Sequence, residues 1–182
     1  MEENQLLDHP LSKKPRSEIS SSSVHYMFGS ILQYCMASSN PMEKQYEIGH
    51  RIGSRVLLLL TFRDKLKREI KVVNILSFIS QQCWRILFGR QGDLFKCGDN
   101  QNDYMLTDHK FMLTKYCHEP RGDSFIDYGA FAAGIIEGIL CDAEFPATVT
   151  AHTLNPDPKD RTVTFLIKFF PEALNRETKM TG

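Results

Sequence analysis

The chain has 182 residues, a length that suits one domain rather than two. Lys plus Arg and Asp plus Glu both number 22, so the formal net charge is zero. This balance disfavours binding to nucleic acid or acidic lipid through the overall charge. A chain without net charge also lacks electrostatic repulsion between its copies and tends to associate.

The sequence shows no targeting or anchoring segment. Its longest unbroken apolar run, Val56 to Leu60, is far shorter than the roughly 20 residues of a membrane-spanning helix. The first residues include no apolar core of a secretion signal. Five cysteines without a C-x-x-C motif fit neither a disulfide framework nor a zinc ribbon. We therefore expect a cytosolic chain whose thiols are reduced and mostly packed.

The first third of the chain predicts an arm and two helices. Residues 1–16 are poor in apolar side chains and are predicted to be a mobile N-terminal arm. Serines at 20–23 offer N-caps for a first amphipathic helix that ends near Asn40 and Pro41. A second helix is predicted from Pro41 to about Phe62, because proline suits the first helical turn.

The second helix carries an apolar ridge beside a row of glycines. Ile48, Ile52 and Val56 follow i, i+4, i+8 spacing, and Gly49 and Gly53 lie next to them. A glycine inside a helix costs about 1 kcal/mol of stability, so we expect another helix to pack closely against this row. That helix belongs either to the same domain or to another subunit. The apolar run named above surrounds the helix and calls for burial from more than one side. The candidate subunit-interface residues are Ile48, Gly49, Ile52, Gly53, Val56, Leu57, Leu60 and Phe78.

A third helix is predicted from about Lys67 to Phe88, with a broad apolar face and Gly89 as its end. Phe78 falls in the polar arc of this helix, either under a loop or as an exposed anchor. Around the helix start, five cations and two anions give a local sum of +3. Such a patch is either a solvated turn or a contact for anionic lipid or an acidic partner. Its cations are Arg63, Lys65, Lys67, Arg68 and Lys71.

The middle of the chain predicts two short strands and a fourth helix. The strands are Asp103 to Leu106 and Phe111 to Tyr116, around a turn at 108–110. The helix runs from about Tyr128 to Asp142 and is rich in alanine and glycine. We expect it to be central and tightly packed.

The last part of the chain predicts a hairpin. Ala147 to Leu154 and Arg161 to Phe170 read as strands, joined by a loop at Asn155 to Asp160. Helices followed by hairpins, without repeating βαβ units, indicate an α+β fold with an antiparallel sheet. The predicted domain covers residues 17–171, and residues 172–182 form a C-terminal tail.

No catalytic residue, metal site or cofactor is predicted. The common nucleophile, phosphate-binding, zinc and dinucleotide motifs are all absent from the sequence. A cysteine hydrolase built on Cys117, His118 and Glu119 is the weakest alternative, because adjacent strand residues point to opposite faces. The histidines His50, His109 and His152 have no further ligand at zinc-site spacing.

Two sequence patterns carry a resemblance to a known family. The first comprises the glycine row and the end of the third helix, and the second comprises the fourth helix and the segment that follows it. They comprise Tyr46, Ile48, Gly49, Ile52, Gly53 and Arg55, then Trp84 to Gly89, Ala133 to Leu140, Phe145 to Ala147 and Val149 to His152. From about Pro15 to Phe170 the sequence resembles the small subunits of the transport protein particle (TRAPP) tethering complex.

This resemblance implies an α/β-plait of about four helices packed on a twisted antiparallel sheet of about four strands. It also implies a non-catalytic subunit of a hetero-oligomer that tethers vesicles in ER-to-Golgi transport and promotes nucleotide exchange on a Rab GTPase. The implied partners are other small TRAPP subunits, paired through helical surfaces, with the complex cytoplasmic and peripheral at those membranes. Some relatives carry an acylated cysteine before the third helix, where this chain has Glu69, so lipid attachment is not expected there.

A small-molecule sensor is the competing interpretation. Helix-over-sheet domains similar to this one can enclose apolar ligands, and the small residues of the fourth helix could line a cavity.

Overall fold

A computed structural model describes residues 19–97, 102–115, 127–153 and 161–181. The helical elements in these ranges are α1 (Ser21–Met36), α2 (Pro41–Asp64), α3 (Val72–Ser77), a π-helical segment (Phe78–Cys83), α4 (Trp84–Phe88), a short 3-10 turn (Met112–Thr114), α5 (Ala130–Asp142) and α6 (Pro171–Thr181). The strands are β1 (Asp93–Lys96), β2 (Asp103–Asp108), β3 (Ala147–Thr153) and β4 (Val163–Phe169). None of the helices described is long and apolar enough to cross a bilayer.

The first two predicted helices are confirmed. α1 ends at Met36, a few residues before the predicted boundary, and the Ser38 hydroxyl then donates to the carbonyl of Cys35. α2 begins at Pro41, and the side-chain oxygen of Asn40 accepts from the amide of Glu43 at 3.4 Å. An N-cap of this kind satisfies one of the free amides of the first turn.

The third helix is confirmed but starts later than predicted. α3, the π-helical segment and α4 are consecutive and form one helix from Val72 to Phe88. The expected start at Lys67 is wrong, because the backbone leaves α2 through Lys65 in the left-handed conformation (φ 50°) and residues 66–71 are not helical. Gly89 closes the helix with φ 78°, a conformation that favours glycine.

The four strands form one antiparallel sheet in the order β1-β2-β4-β3. The predicted pairing of the two last strands is confirmed, with Val149 opposite Ile167. The predicted strand at Phe111 to Tyr116 is wrong over its described part, because the Thr114 amide and hydroxyl both bond to the carbonyl of Phe111 and close a 3-10 turn. The sheet instead gains β1, which the sequence did not predict.

The hydrophobic core lies between the helices and one face of the sheet. The side chains of Leu106, Phe165 and Ile167 on the sheet and of Trp84 on the third helix are almost fully buried. Ten residues of α5 are buried, which confirms its predicted central position. The α+β fold with an antiparallel sheet is therefore confirmed.

α6 (Pro171–Thr181) begins at the last residue of the predicted domain and runs through most of the predicted C-terminal tail (172–182), and its Ala173 is 1% exposed. The predicted N-terminal arm (1–16) and hairpin loop (155–160) lie outside the described residues.

Candidate functional site

α2 and α5 meet in close backbone contact along two rows of glycines. A Cβ added to Gly49 would lie 2.0 Å from the carbonyl oxygen of Phe131. The contact is reciprocal, because a Cβ on Gly134 of α5 would lie 2.1 Å from the carbonyl oxygen of Tyr46. Gly53 is packed against α5 in the same way. The glycine row is thus used by packing within the domain, the first of the two expected alternatives.

The eight predicted interface residues divide into two groups. Three of them are buried inside the chain and are corrected to core positions: Gly49, Gly53 and Leu60. The other five are partly buried at the edge of the core: Ile48, Ile52, Val56, Leu57 and Phe78. Only the second group keeps surface that another subunit could contact.

The outward face of α2 carries a regular stripe that sequence reasoning missed in part. The stripe consists of Ile48, Ile52, Arg55, Leu59 and Phe62, whose 4-3-4-3 spacing is typical of helices that pack against other helices. Leu59 is 61% exposed and Phe62 is 85% exposed. The apolar run from Val56 to Leu60 was the sequence signal for Leu59, whereas Phe62 lies just beyond that run. We refer to these five positions as the α2 stripe.

α1 adds further exposed side chains of the kind enriched at interfaces. Tyr26, Met27 and Tyr34 are 80%, 58% and 65% exposed. Tyr26 and Tyr34 are two turns apart and lie on the same side of the helix. Tyrosine and methionine are enriched at protein interfaces relative to other surfaces.

The predicted basic patch lies at the connection between α2 and α3. Arg63 pairs with its neighbour Asp64, with Nε 3.0 Å from Oδ1, and Arg68 pairs with Glu144. The remaining three cations have no ion pair within the ranges that the structure describes: Lys65, Lys67 and Lys71. The patch therefore keeps unneutralised positive charge at its surface.

A groove of about 910 Å³ runs between α2 and the third helix. Its apolar lining includes Leu57, Leu58, Ile75 and Phe78, so Phe78 faces the groove. Basic-patch residues line one end. We refer to this feature as the α2–α3 groove.

Glu69, which the sequence resemblance places where some relatives carry an acylated cysteine, also lines the α2–α3 groove. Its carboxylate accepts a hydrogen bond of 3.0 Å from the side-chain amide of Asn74. The position holds an anchored carboxylate, which has no thiol for acyl attachment.

A polar link joins α2, α5 and β3. The Tyr46 hydroxyl donates to Glu137, and the same carboxylate oxygen accepts from the amide of Val149 at 3.0 Å. Burial first, and then the hydrogen bond to Glu137, raise the pKa of Tyr46. The phenol therefore stays protonated and acts as a donor that ties the helices to the sheet edge.

α6 is held to the turn after α5 through Arg176. Its guanidinium lies 4.9 Å from the centre of the Phe145 ring and donates to the carbonyl of Glu144 at 2.5 Å. The Glu144 carboxylate accepts from both Arg176 and Arg68. The amide of Val72 donates to Glu177 of α6 at 3.4 Å. α6 thereby contacts the start of the third helix directly and is linked to Arg68 of the α2–α3 connection through Glu144.

The described residues assemble no group of three His, Cys, Asp or Glu side chains that could hold a metal ion. Burial raises the pKa of the Cys83 thiol to about 12, so this cysteine is not a nucleophile at neutral pH. Cys35 is also buried, whereas Cys141 is exposed. The candidate triad at 117–119 lies outside the described residues.

Comparison with known proteins adds a family to this geometry. The family model described as "Transport protein particle (TRAPP) component" matches residues 24–170. Trafficking protein particle complex subunit 5 of Dictyostelium discoideum is 42% identical over 179 residues, which cover 94% of this chain and 95% of that protein. The Homo sapiens subunit 5 is 30% identical over 183 residues, which cover 97% of this chain and 94% of that protein.

A solved structure has the same fold. The crystal structure of a trafficking protein particle complex subunit 3 from Naegleria fowleri, covalently bound to palmitic acid, superposes with a TM-score of 0.73. The match covers 84% of this chain and 96% of that chain at 12% sequence identity. At this identity the likeness bears on the fold alone.

Proposed function

Because the chain belongs to the TRAPP component family and is similar to its subunit 5 type, we propose that it pairs with another small TRAPP subunit through the α2 stripe. Membership of the family supports a structural role in the TRAPP complex. The observation that carries the pairing is the exposure of Leu59 and Phe62 in a regularly spaced apolar stripe. A large apolar side chain contributes about 1.5–3 kcal/mol when it is fully buried.

The stripe is suited to a helical partner rather than to solvent. Ile48 and Ile52 are partly buried against the core, whereas Leu59 and Phe62 are exposed. Arg55 is the polar residue at the centre of the stripe, and one polar position in such a seam fixes the register of the pair. Tyr26 and Tyr34 of α1 are candidates for the rim of the same contact.

Co-purification from the native cells tests the pairing. We expect Leu59→Asn and Phe62→Ser, in the tagged full chain, to reduce the recovered small TRAPP subunits by about tenfold, which corresponds to about 1.4 kcal/mol. Leu58→Asn is the matched control, because Leu58 is 71% exposed but lies outside the stripe. Unchanged recovery in the two stripe variants, each folded by circular dichroism, would refute this assignment.

The wider role follows from the family and is proposed at the level of the assembly. The complex would act in ER-to-Golgi transport, support nucleotide exchange on a Rab GTPase, and lie in the cytoplasm and peripherally at ER and Golgi membranes. The chain itself is proposed to be non-catalytic. The basic patch is a candidate contact for a negatively charged surface, lipid or protein. Depletion of the chain should slow transport of a secreted reporter, and re-expression of the wild type should restore it.

The sensor alternative has less support. It depended on the small residues of α5 lining a cavity, but Gly134 and Gly138 are in backbone contact with α2. The α2–α3 groove is lined instead by α2, the third helix and the turn after α5. Native mass spectrometry of the purified chain would favour the sensor if a stoichiometric small molecule were retained.

A further inference from the structure

α6 is attached to the rest of the chain along one narrow side. Ala173 is buried, and Arg176 and Glu177, one turn later, are partly buried, whereas Glu172 and Asn175 are exposed. A helix of 11 residues is only marginally stable in water by itself. α6 therefore keeps its helical form through the contacts of this one side.

One of these contacts caps the third helix. The helix begins at Val72, and the side chain of the preceding residue, Lys71, makes no N-cap hydrogen bond. The amide of Val72 donates instead to the carboxylate of Glu177, at 3.4 Å. A carboxylate at this end of a helix also interacts favourably with the helix dipole. The start of the third helix is thus stabilised by a residue of α6 rather than by the connection before it.

A second contact links α6 to the α2–α3 connection (residues 65–71) through Glu144. Glu144 follows α5 in the left-handed conformation (φ 61°), at a position where glycine is usual. Its carboxylate accepts from Arg176 of α6 at 3.1 Å and also from Arg68 of the connection. The use of this carboxylate as a link explains a glutamate in a backbone conformation that its side chain disfavours.

The α2–α3 connection is not helical, and two of its hydrogen bonds return to the helices that it joins. The amide of Leu66 donates to the carbonyl of Thr61, and Glu69 accepts from the side chain of Asn74. The ion pair of Arg68 ties the connection to the turn after α5. α6 acts on that ion pair and on the helix start at which the connection ends.

We propose that α6 is a releasable clasp on the α2–α3 connection. When α6 is docked, the connection is ordered, and Lys65, Lys67 and Lys71 of the basic patch are presented in one arrangement. When α6 is released, it unfolds and residues 65–71 move freely. Weakly packed elements of folded proteins open locally, at a lower free energy than global unfolding. The proposal does not depend on what the basic patch contacts.

Hydrogen–deuterium exchange of the purified full chain tests whether α6 opens by itself. We expect the helical amides of α6 to exchange about hundredfold faster than those of α5, of which ten residues are buried. The amide of Val72 should exchange together with those of α6, because its acceptor lies on α6. Protection of α6 equal to that of α5 would make α6 a fixed part of the core and overturn the proposal.

Limited digestion with trypsin tests whether α6 controls the connection. Trypsin cleaves after lysine and arginine, and the four such residues within the connection are all exposed: Lys65, Lys67, Arg68 and Lys71. When opening is fast relative to cleavage, the rate of cleavage reports the population of the open form. Arg90 is exposed in the bend after the third helix and serves as an internal reference for opening of the whole chain.

Two variants of the full chain release the clasp. Ala173→Asp places a charge in the buried contact of α6, and Glu177→Ala removes the carboxylate that caps the third helix. We expect the first to raise cleavage within residues 65–71 about tenfold and the second about threefold, with cleavage elsewhere unchanged. Asn175→Asp and Glu172→Ala are the matched controls, because both side chains are exposed on α6, and they should stay within about twofold of the wild type.

Two digestion results would overturn the proposal. The first is unchanged cleavage within residues 65–71 in both Ala173→Asp and Glu177→Ala. The second is an equal rise of cleavage after Arg90, which would mean that loss of α6 unfolds the whole chain. If Ala173→Asp does not fold, Glu177→Ala decides alone, because it shortens a side chain that is only partly buried.

Discussion

Substitution of Gly53 by alanine should destabilise the chain although it improves the intrinsic helix propensity of α2. The added Cβ would lie 2.2 Å from the carbonyl oxygen of Ile135, and ordinary van der Waals contact begins at 3.4 Å. The obstacle is helix backbone, which has no rotamer to change. α2 and α5 must therefore separate by about 1 Å, and a gap of that size forfeits up to about half of the dispersion energy at the contact.

The size of the effect follows from two opposing terms. Overpacking in a dense core costs about 3 kcal/mol at the upper end of its usual range, and the backbone clash places Gly53 there. Replacement of a helical glycine by alanine stabilises the helix by about 1 kcal/mol through its intrinsic propensity. We expect the free energy of unfolding to fall by about 2 kcal/mol, which lowers the midpoint of thermal unfolding by about 4–8 °C.

Gly29 provides the control, because it also lies within a helix but a Cβ there would meet nothing within 4 Å. Gly29→Ala should therefore raise the free energy of unfolding by about 0.5–1 kcal/mol. Urea unfolding of the two purified variants, followed by circular dichroism, gives both values. If Gly53→Ala were as stabilising as Gly29→Ala, the close contact between α2 and α5 would not exist in solution.

Three further predictions concern single side chains. Asp108→Ala should lower the free energy of unfolding by about 2 kcal/mol, because the buried indole N–H of Trp84, which lies 2.9 Å from the Asp108 carboxylate, loses its acceptor. Urea unfolding followed by tryptophan fluorescence measures this change. Because burial raises the pKa of Cys83 in the folded chain to about 12, this thiol should resist reagents that modify the exposed Cys141. The same shift should make the contribution of Cys83 to the free energy of unfolding complete below pH 9 and lost as pH rises towards 12. The difference in pH dependence between the wild type and Cys83→Ala isolates this loss of stability. Rapid labelling of Cys83 in the folded chain would contradict the raised pKa. Arg176→Ala should lower stability by about 1 kcal/mol through loss of its ring contact, and an unchanged urea midpoint would show that α6 is not held by it.

Strongly periodic helices could be predicted from the sequence, whereas the connections between them could not. Pro41 and the apolar spacing located α2 to within a few residues. The start of the third helix was placed too early, because its basic residues suit a helix as well as the extended connection that Lys65 begins. α6 was missed although Pro171 and Glu172 are typical helix-start residues, since the rest of the segment is polar.

The sheet was predicted only where alternation was strong. β4 alternates buried and less buried positions from Phe165 to Phe169, but β1 has four residues and only Leu94 and Phe95 are apolar. Such a strand exists because β2 offers it an edge, which is a tertiary effect.

The candidate sites also differ in whether a local sequence pattern could predict them. The sequence contained a second glycine pair in the fourth helix, Gly134 and Gly138, at the same spacing as the first. The match of the two pairs was the signal that the close approach lay within the chain. The α2–α3 groove had no such signal, because its lining comes from separate helices and the turn after α5.

The link between Glu137 and Val149 has a consequence for how the chain avoids self-assembly. β3 is an outer strand of the sheet, and its free amides could template the addition of a strand from another copy. Glu137 occupies one of those amides from the neighbouring helix, which interrupts the row that a second chain would need. At the opposite edge, β1 is only four residues long and carries a charge at each end, Asp93 and Lys96. A protein with no net charge to keep its copies apart thus limits polymerisation at both margins of its sheet.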